Sequence, residues 1–161
     1  MISTRRRLEY ATGYLELGLT AQAAAELAAI DPADQDLIEV LRVRSEYHMQ
    51  AKEWESLINV AASLARRAPD DESGWISWAY ALRELNRVEE ARSVLQEAEL
   101  RHGKTCGVLH YNLACYACLL GNHLEALRRL RRALRINEEW KQSALGDTDL
   151  QPLWPEIAEM K

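Results

Sequence analysis

The sequence predicts an all-α protein, built as a solenoid of helical hairpins. Its four prolines and seven glycines fall mainly between apolar stretches that have the period of an α-helix. These breaks are spaced for about eight helices and a tail. One hairpin pattern also recurs along the chain at a nearly fixed interval. Such repetition is typical of a solenoid, because each hairpin buries its apolar face only against the next one.

The repeat is clearest in the second helix of each hairpin, where one inward position recurs. It is occupied by Ala23, Leu57, Ala91 and Ala126, which lie 34, 34 and 35 residues apart. Apolar residues follow each of them after four residues, and again three residues later. These further positions are Leu27, Ala61, Leu95 and Leu130, and then Ile30, Leu64, Ala98 and Ala133. Steps of four and three stay on one face of an α-helix, so we expect this stripe to face the core.

The first helix of each hairpin carries a small residue where two helices must approach closely. The small residues are Ala11, Ser45, Ala79 and Ala114. Seven residues after each of them we expect the turn between the two helices. The predicted turn residues are Gly18, Lys52, Asn86 and Gly121.

At these residues the chain resembles the tetratricopeptide repeat family, whose unit is a helix-turn-helix of about 34 residues. The third copy, around 74–82, and the fourth, around 111–127, fit best, whereas the second has Arg44 where a leucine is usual and Lys52 at its turn. The resemblance implies a right-handed α-α superhelix. We predict one domain, 1–161, with repeats at 4–35, 38–70, 72–103 and 106–137 and a C-terminal cap at 138–161.

The predicted cap follows from the composition of the last residues. A terminal repeat needs a cover for its open face. Trp140, Leu150, Leu153 and Trp154 supply apolar area for one. We therefore expect a short helix that Gly146 ends and a tail that packs back on the array.

Charge and cysteine content limit the class of protein. The formal net charge of −5 does not favour nucleic acid as a partner. The sequence shows neither a leader segment nor an apolar run of membrane-spanning length, so no membrane partner and a cytoplasmic location are expected. The cysteines at Cys106, Cys115 and Cys118 are odd in number and clustered, which indicates reduced thiols.

No motif in the sequence predicts catalysis, a cofactor or a metal. Gly103–Thr105 matches a loose phosphate-binding loop, but that chemistry needs a preceding strand. Cys115 and Cys118 lie three apart on a predicted helix, where packing explains them, and a zinc site would need further ligands. An enzyme or metal-binding protein that uses the cysteine and histidine region 102–123 is the alternative of another class. Its further ligands would be His102, Cys106 and His110.

The densest charge cluster lies on the last predicted second helix. Its arginines avoid the inward positions, so we expect them to coat a solvated outer face. An acidic partner or an RNA backbone docking there is the alternative. These residues are Arg128, Arg129, Arg131, Arg132 and Arg135.

In the family that the chain resembles, ligands lie along the groove formed by the first helices. The resemblance implies a protein-protein interaction module, or adaptor, that binds a peptide or helix of a partner protein. Tyr80 and Tyr111 are expected to grip one ligand together. A chaperone similar to class II of type III secretion is an alternative, as is a groove covered by a homodimer or by the chain's own tail. The predicted groove residues are Arg42, Glu46, Met49, Ile76, Tyr80, Arg83, Val108, Tyr111 and Asn112.

Overall fold

The computed structural model describes residues 2–160, and over that range the fold is all-α with no strand. Short 3-10 helices occupy Pro32–Asp34 and Thr148–Leu153. The α-helices are α1 (Thr4–Glu16), α2 (Thr20–Ala28), α3 (Ile38–Gln50), α4 (Trp54–Arg67), α5 (Glu72–Glu84), α6 (Val88–His102), α7 (Gly107–Leu119), α8 (His123–Ile136), α9 (Trp140–Gly146) and α10 (Trp154–Glu159). The predicted fold class is confirmed.

The chain forms two compact units, Met1–Leu85 and Asn86–Lys161. The first contains α1 to α5 and the second contains α6 to α10. In the first unit, α1 packs against α2, α3 against α4, and α4 against α5. In the second unit, α7 packs against α6 and α8. The single domain 1–161 and its repeat boundaries stay a prediction.

The inward stripe predicted for the second helices is buried in both units. Ala23, Leu57, Ala91 and Ala126 are completely buried, at 0% exposure. The apolar residues four and seven positions later are all at most 3% exposed, as Leu27 is. Spacing alone therefore identified the core face of these helices.

The four predicted turn residues share one unusual backbone conformation. Gly18, Lys52, Asn86 and Gly121 all have a positive φ, of 70°, 56°, 60° and 78°. This left-handed conformation ends a helix in the manner of a Schellman motif. Accordingly, the N–H that follows Lys52 donates to the carbonyl of His48 at 2.9 Å. Glycine adopts the conformation freely, whereas lysine pays a steric cost for it.

A close helix contact in the first unit depends on Gly74. A Cβ atom at that position would lie 2.7 Å from the backbone nitrogen of Ala65 on α4. The next residue, Trp75, is 6% exposed, and its indole N–H donates to the carbonyl of Pro69 at 3.2 Å. The glycine thus lets α5 approach α4, while the adjacent tryptophan anchors the loop between them.

The C-terminal segment folds back on the second unit. We define the cap as α9, the second 3-10 helix and α10; α9 begins at Trp140, two residues after the predicted start of the cap at 138. The 3-10 helix contacts α7, and its Leu150 and Leu153 are buried. The indole N–H of Trp154 lies 3.0 Å from the carbonyl oxygen of Ala144 and 3.2 Å from that of Asp147. The cap is therefore held by apolar burial and by hydrogen bonds.

Within residues 2–160, no helix has both the length and the apolar character needed to cross a membrane.

Candidate protein-interaction surfaces

In the first unit, the predicted groove residues lie on two first helices that touch. Helix α1 contacts α3, and α3 contacts α5. Three of the predicted residues lie on α3 and three on α5, each set at steps of three or four that keep it on one helical face. They are Arg42, Glu46 and Met49 on α3, and Ile76, Tyr80 and Arg83 on α5.

An open cleft of about 590 Å³ lies between α1 and α3 at the start of this row. Leu8, Leu37 and Val43 give it an apolar part. Its glutamates outnumber its one arginine, Arg5, which forms an ion pair with Glu9 at 3.4 Å. The cleft therefore combines an apolar floor with an acidic rim. It is lined by Thr4, Arg5, Leu8, Glu9, Thr12, Gly13, Glu16, Leu37, Glu39 and Val43.

Arg42 already has a partner within the protein. Its Nε and Nη2 atoms donate to Oδ2 of Asp71, at 2.9 and 2.6 Å. Asp71 is the N-cap of α5 and also accepts the N–H of Ser73 at 3.0 Å. Burial pushes the pKa of Asp71 up, but the hydrogen bonds from Ser73 and the charge of Arg42 outweigh it, and the net pKa is lowered. Arg42 thus joins α3 to the start of α5.

Tyr80 presents an aromatic ring at the surface of the first unit. It is 39% exposed. Its ring meets that of Trp54 edge-on, with centroids 5.9 Å apart and planes at 64°. Trp54 and Met49 in turn pack against a buried cluster that includes Leu57. Tyr80 is therefore an exposed aromatic side chain on a rigid support.

In the second unit, Tyr111 is covered by the cap. The side chain is 7% exposed, and its ring stacks on that of Trp140 at 4.8 Å and 30°. Its hydroxyl donates to Oδ2 of Asp147 at 2.8 Å. Burial, together with the hydrogen bond to Asp147, raises the pKa of Tyr111 well above its usual range.

Gly107 makes room for this arrangement. A Cβ atom there would lie 2.8 Å from Nε1 of Trp140. The other two predicted residues of α7, Val108 and Asn112, are partly exposed. The structure thus brings the α7 residues together with the cap, and whether they bind a partner stays a prediction. Trp140 and Asp147 were missed as site residues, although the tail was considered as an occupant of the groove.

The cysteine pair of α7 lies beside the cap. Cys115 and Cys118 are free and buried. The Cys115 thiol donates to Oδ2 of Asp147 over 3.7 Å, and Asp147 Oδ1 accepts the N–H of Asp149 at 2.9 Å. Burial, reinforced by these two carboxylates, raises the pKa of both thiols. The Cys115 thiol is therefore placed as a hydrogen-bond donor to Asp147, and the packing role of the pair stays a prediction.

The possible zinc ligands from the sequence do not assemble into one group. In the described part of the chain, the side chains near enough to share a metal ion are Cys115, Asp147 and Asp149, and no histidine is among them. His110 is completely buried, and its Nε2–H donates to the carbonyl of Gly103 at 2.7 Å. Its pKa is lowered mainly by burial. This histidine therefore holds the turn between α6 and α7.

The arginines of α8 do not all lie on a solvated face, which corrects the sequence-based expectation. The Arg129 side chain is only 15% exposed, and it binds Oε1 of Glu99 at 2.5 Å and Oε1 of Glu125 at 2.7 Å. Arg132 donates to the carbonyl of Gly103 at 3.2 Å. Arg128 is paired with Glu125. The error arose because Glu99 lies on α6, 30 residues before Arg129 in the sequence.

These helical hairpins define an all-α repeat protein. Neither a family model nor the sequence of a curated protein matches the chain. Solved structures do match it. A structure of MamA, MSR-1, is 20% identical and covers 86% of this chain and 79% of its own, with a TM-score of 0.74. Another MamA structure is 14% identical to this chain, covers 92% of it and 88% of its own length, and gives a TM-score of 0.76.

A third similar structure is a thermophilic TPR protein of Thermus thermophilus. It is 17% identical to this chain, covers 98% of it and 100% of its own length, and gives a TM-score of 0.71. At such identities the likeness establishes the fold. The chain has the tetratricopeptide-repeat fold, as the sequence resemblance implied.

Proposed function

We propose that this protein is an interaction scaffold that binds a peptide or helix of a partner protein along α1, α3 and α5. The observation that carries the proposal is the open α1/α3 cleft, whose row of first helices continues to the exposed ring of Tyr80. The proposed activity is binding in the cytoplasm, without catalysis or a cofactor. The predicted residues on α3 and α5 form the proposed contact surface.

The chemistry of this surface indicates the kind of ligand. Leu37, which is 40% exposed, and the partly buried Val43 offer apolar area, which a leucine or aromatic side chain of the ligand would cover. Glu39 and its neighbouring glutamates favour basic residues at the rim, through charge complementarity that mainly sets selectivity and association rate. Tyr80 is a rigid aromatic anchor, and such residues commonly contribute about 2 kcal/mol or more to an interface.

Tyr111 enters the proposal differently from Tyr80. Because the cap covers its ring, a ligand would reach Tyr111 only after displacing Trp140. We therefore place the main contact on the first unit. This revises the expectation of an equal tyrosine pair, and Val108 and Asn112 become secondary candidates.

The test is affinity capture of partner proteins from the native cell, with Tyr80→Ala compared with wild type. Tyr10→Ala is a matched control, because Tyr10 is 42% exposed, close to the 39% of Tyr80, and belongs neither to the cleft lining nor to the predicted residues on α3 and α5. We expect the Tyr80 variant to lose roughly tenfold or more of the captured partner, while the control retains it.

A second variant, Glu39→Lys, reverses one charge at the cleft rim and should also weaken capture. Circular dichroism and the unfolding midpoint check that each variant is folded. Unchanged capture by both folded variants would refute the proposed surface. A partner that is a hydrophobic secreted protein encoded nearby would favour the chaperone alternative.

A further inference from the structure

The two outermost arginines of α8 are not used within the protein. Arg128, Arg129 and Arg132 have internal partners, as described above. Within residues 2–160, the side chains of Arg131 and Arg135 have neither a hydrogen bond nor an ion pair, and both residues are exposed. They lie four residues apart on one helical face, where like charges repel. Arg135 lies in the last turn of α8, where its charge favours the helix dipole, but neither guanidinium group is held by another side chain, so both are available for a ligand.

These two arginines line a second cleft, between α8 and the cap. Its volume is about 580 Å³. Leu134, which is partly exposed, contributes apolar surface, and Met160, which is 8% exposed, adds only its edge. The cleft is lined by Arg131, Leu134, Arg135, Glu138, Lys141 and Met160.

The charge of this cleft is opposite to that of the whole chain. Among the lining residues that the structure describes, three carry a positive charge and one, Glu138, carries a carboxylate, whereas the chain has a net charge of −5. Lys141 is fixed in place, because its ammonium group donates to the carbonyl oxygens of Ala158, at 3.1 Å, and of Met160. The cleft thus has one cation held by hydrogen bonds, Lys141, and two that have no partner among the described residues.

The volume of this cleft and the residues that line it indicate which kind of anionic ligand would fit. Arginine binds a carboxylate with two parallel hydrogen bonds. A volume of 580 Å³ is within the range of sites that hold whole ligands and not single ions. The apolar surface of Leu134 and Met160 accepts a leucine or methionine side chain, which a sugar-phosphate backbone does not offer.

We propose that this cleft docks an acidic segment of a partner protein, with carboxylates on Arg131 and Arg135 and one large apolar side chain against Leu134 and Met160. The site is separate from the α1/α3 cleft and does not depend on the function proposed for it. The protein then has an acidic cleft in its first unit and a basic cleft in its second, each suited to a different peptide.

The test uses a short fluorescent peptide built from glutamate and leucine and measures its binding by fluorescence polarisation. The matched control peptide replaces each glutamate with lysine. We expect saturable binding of the acidic peptide that weakens with added salt, because exposed charges are screened. The double variant Arg131→Ser, Arg135→Ser should weaken it roughly tenfold or more.

A control variant removes the same charge elsewhere. Arg66→Ser, Arg67→Ser takes two exposed arginines from α4 and should leave binding unchanged, as should Tyr80→Ala. No saturable binding by wild type, or equal binding by the double variant, would overturn the proposal. Tighter binding of an RNA oligonucleotide at the same arginines, or an oligomer in sedimentation that the double variant abolishes, would reassign the cleft to a different occupant.

Discussion

The indole of Trp140 stacks on the ring of Tyr111, with centroids 4.8 Å apart, while the Tyr111 hydroxyl holds Asp147. The first residue of α9 and the junction between α9 and the 3-10 helix are thus both attached to one residue of α7. We expect Trp140→Ala to lower the free energy of unfolding by about 2 kcal/mol, because it removes the partly buried ring that packs on Tyr111 and against Gly107. Chemical denaturation measures this loss. Trp140→Phe keeps a stacked ring and should lose much less, and equal losses in the two variants would contradict a stacking role.

Arg129 and Arg131 should contribute differently to the free energy of unfolding, although both lie on α8. Arg129→Ala leaves the carboxylates of Glu99 and Glu125 partly buried and without their shared cation. We expect a loss of about 2 kcal/mol in unfolding free energy. Arg131→Ala should change it by less than about 0.5 kcal/mol. Thermal or urea unfolding compares them, and similar values would mean that the Arg129 ion pairs contribute no stability.

Lys52 is a site where the protein should be easy to stabilise. Its backbone φ of 56° is unfavourable for any residue that has a Cβ atom. Lys52→Gly should raise the unfolding free energy by about 0.5–1 kcal/mol, which is the relieved strain less the added freedom of the unfolded glycine. Lys52→Ala keeps the Cβ atom and should be nearly neutral. A destabilised glycine variant would show that the lysine side chain makes a compensating contact.

The Arg42–Asp71 pair should stabilise the folded protein at neutral pH, and this stabilisation should be lost in acid. The pKa of Asp71 is lowered in the folded protein, so its contribution is fully present above the unfolded-state value of about 3.9 and is lost as pH falls through the folded-state pKa. Asp71→Asn can still cap α5 but has no charge for Arg42. We expect wild type to be more stable than the variant at neutral pH and to converge with it in acid. A difference that persists unchanged at low pH would assign the effect to the cap alone.

The sequence predicted those features of the fold that recur at the same position of each repeat. The completely buried Ala23, Leu57, Ala91 and Ala126, and the left-handed turn at Lys52, follow from spacing, even where the residue type is unusual. The repeat pattern predicts these features because every hairpin packs against its neighbour in the same way.

The surfaces were less predictable because they depend on partners from distant parts of the chain. Nothing near Arg129 in the sequence indicates that Glu99 neutralises it. Likewise, Tyr111 matches a groove position of the repeat, but Trp140 and Asp147 decide its exposure. Arg42 was predicted as a groove residue, and its ion pair with Asp71 could be found only once the loop before α5 was placed. Repeat periodicity identifies the face of a side chain and not the contacts it makes there.

The cap also determines how this protein could be lengthened. In a repeat array, a new hairpin packs on the one before it. Here α9 contacts α8, and the 3-10 helix Thr148–Leu153 contacts α7. The cap therefore occupies the surface on which a further hairpin would pack. An engineered hairpin would have to be inserted ahead of α9, with the cap carried behind it. A hairpin placed behind the cap would not reach the faces of α7 and α8 that the cap covers, so it would fold as a separate body.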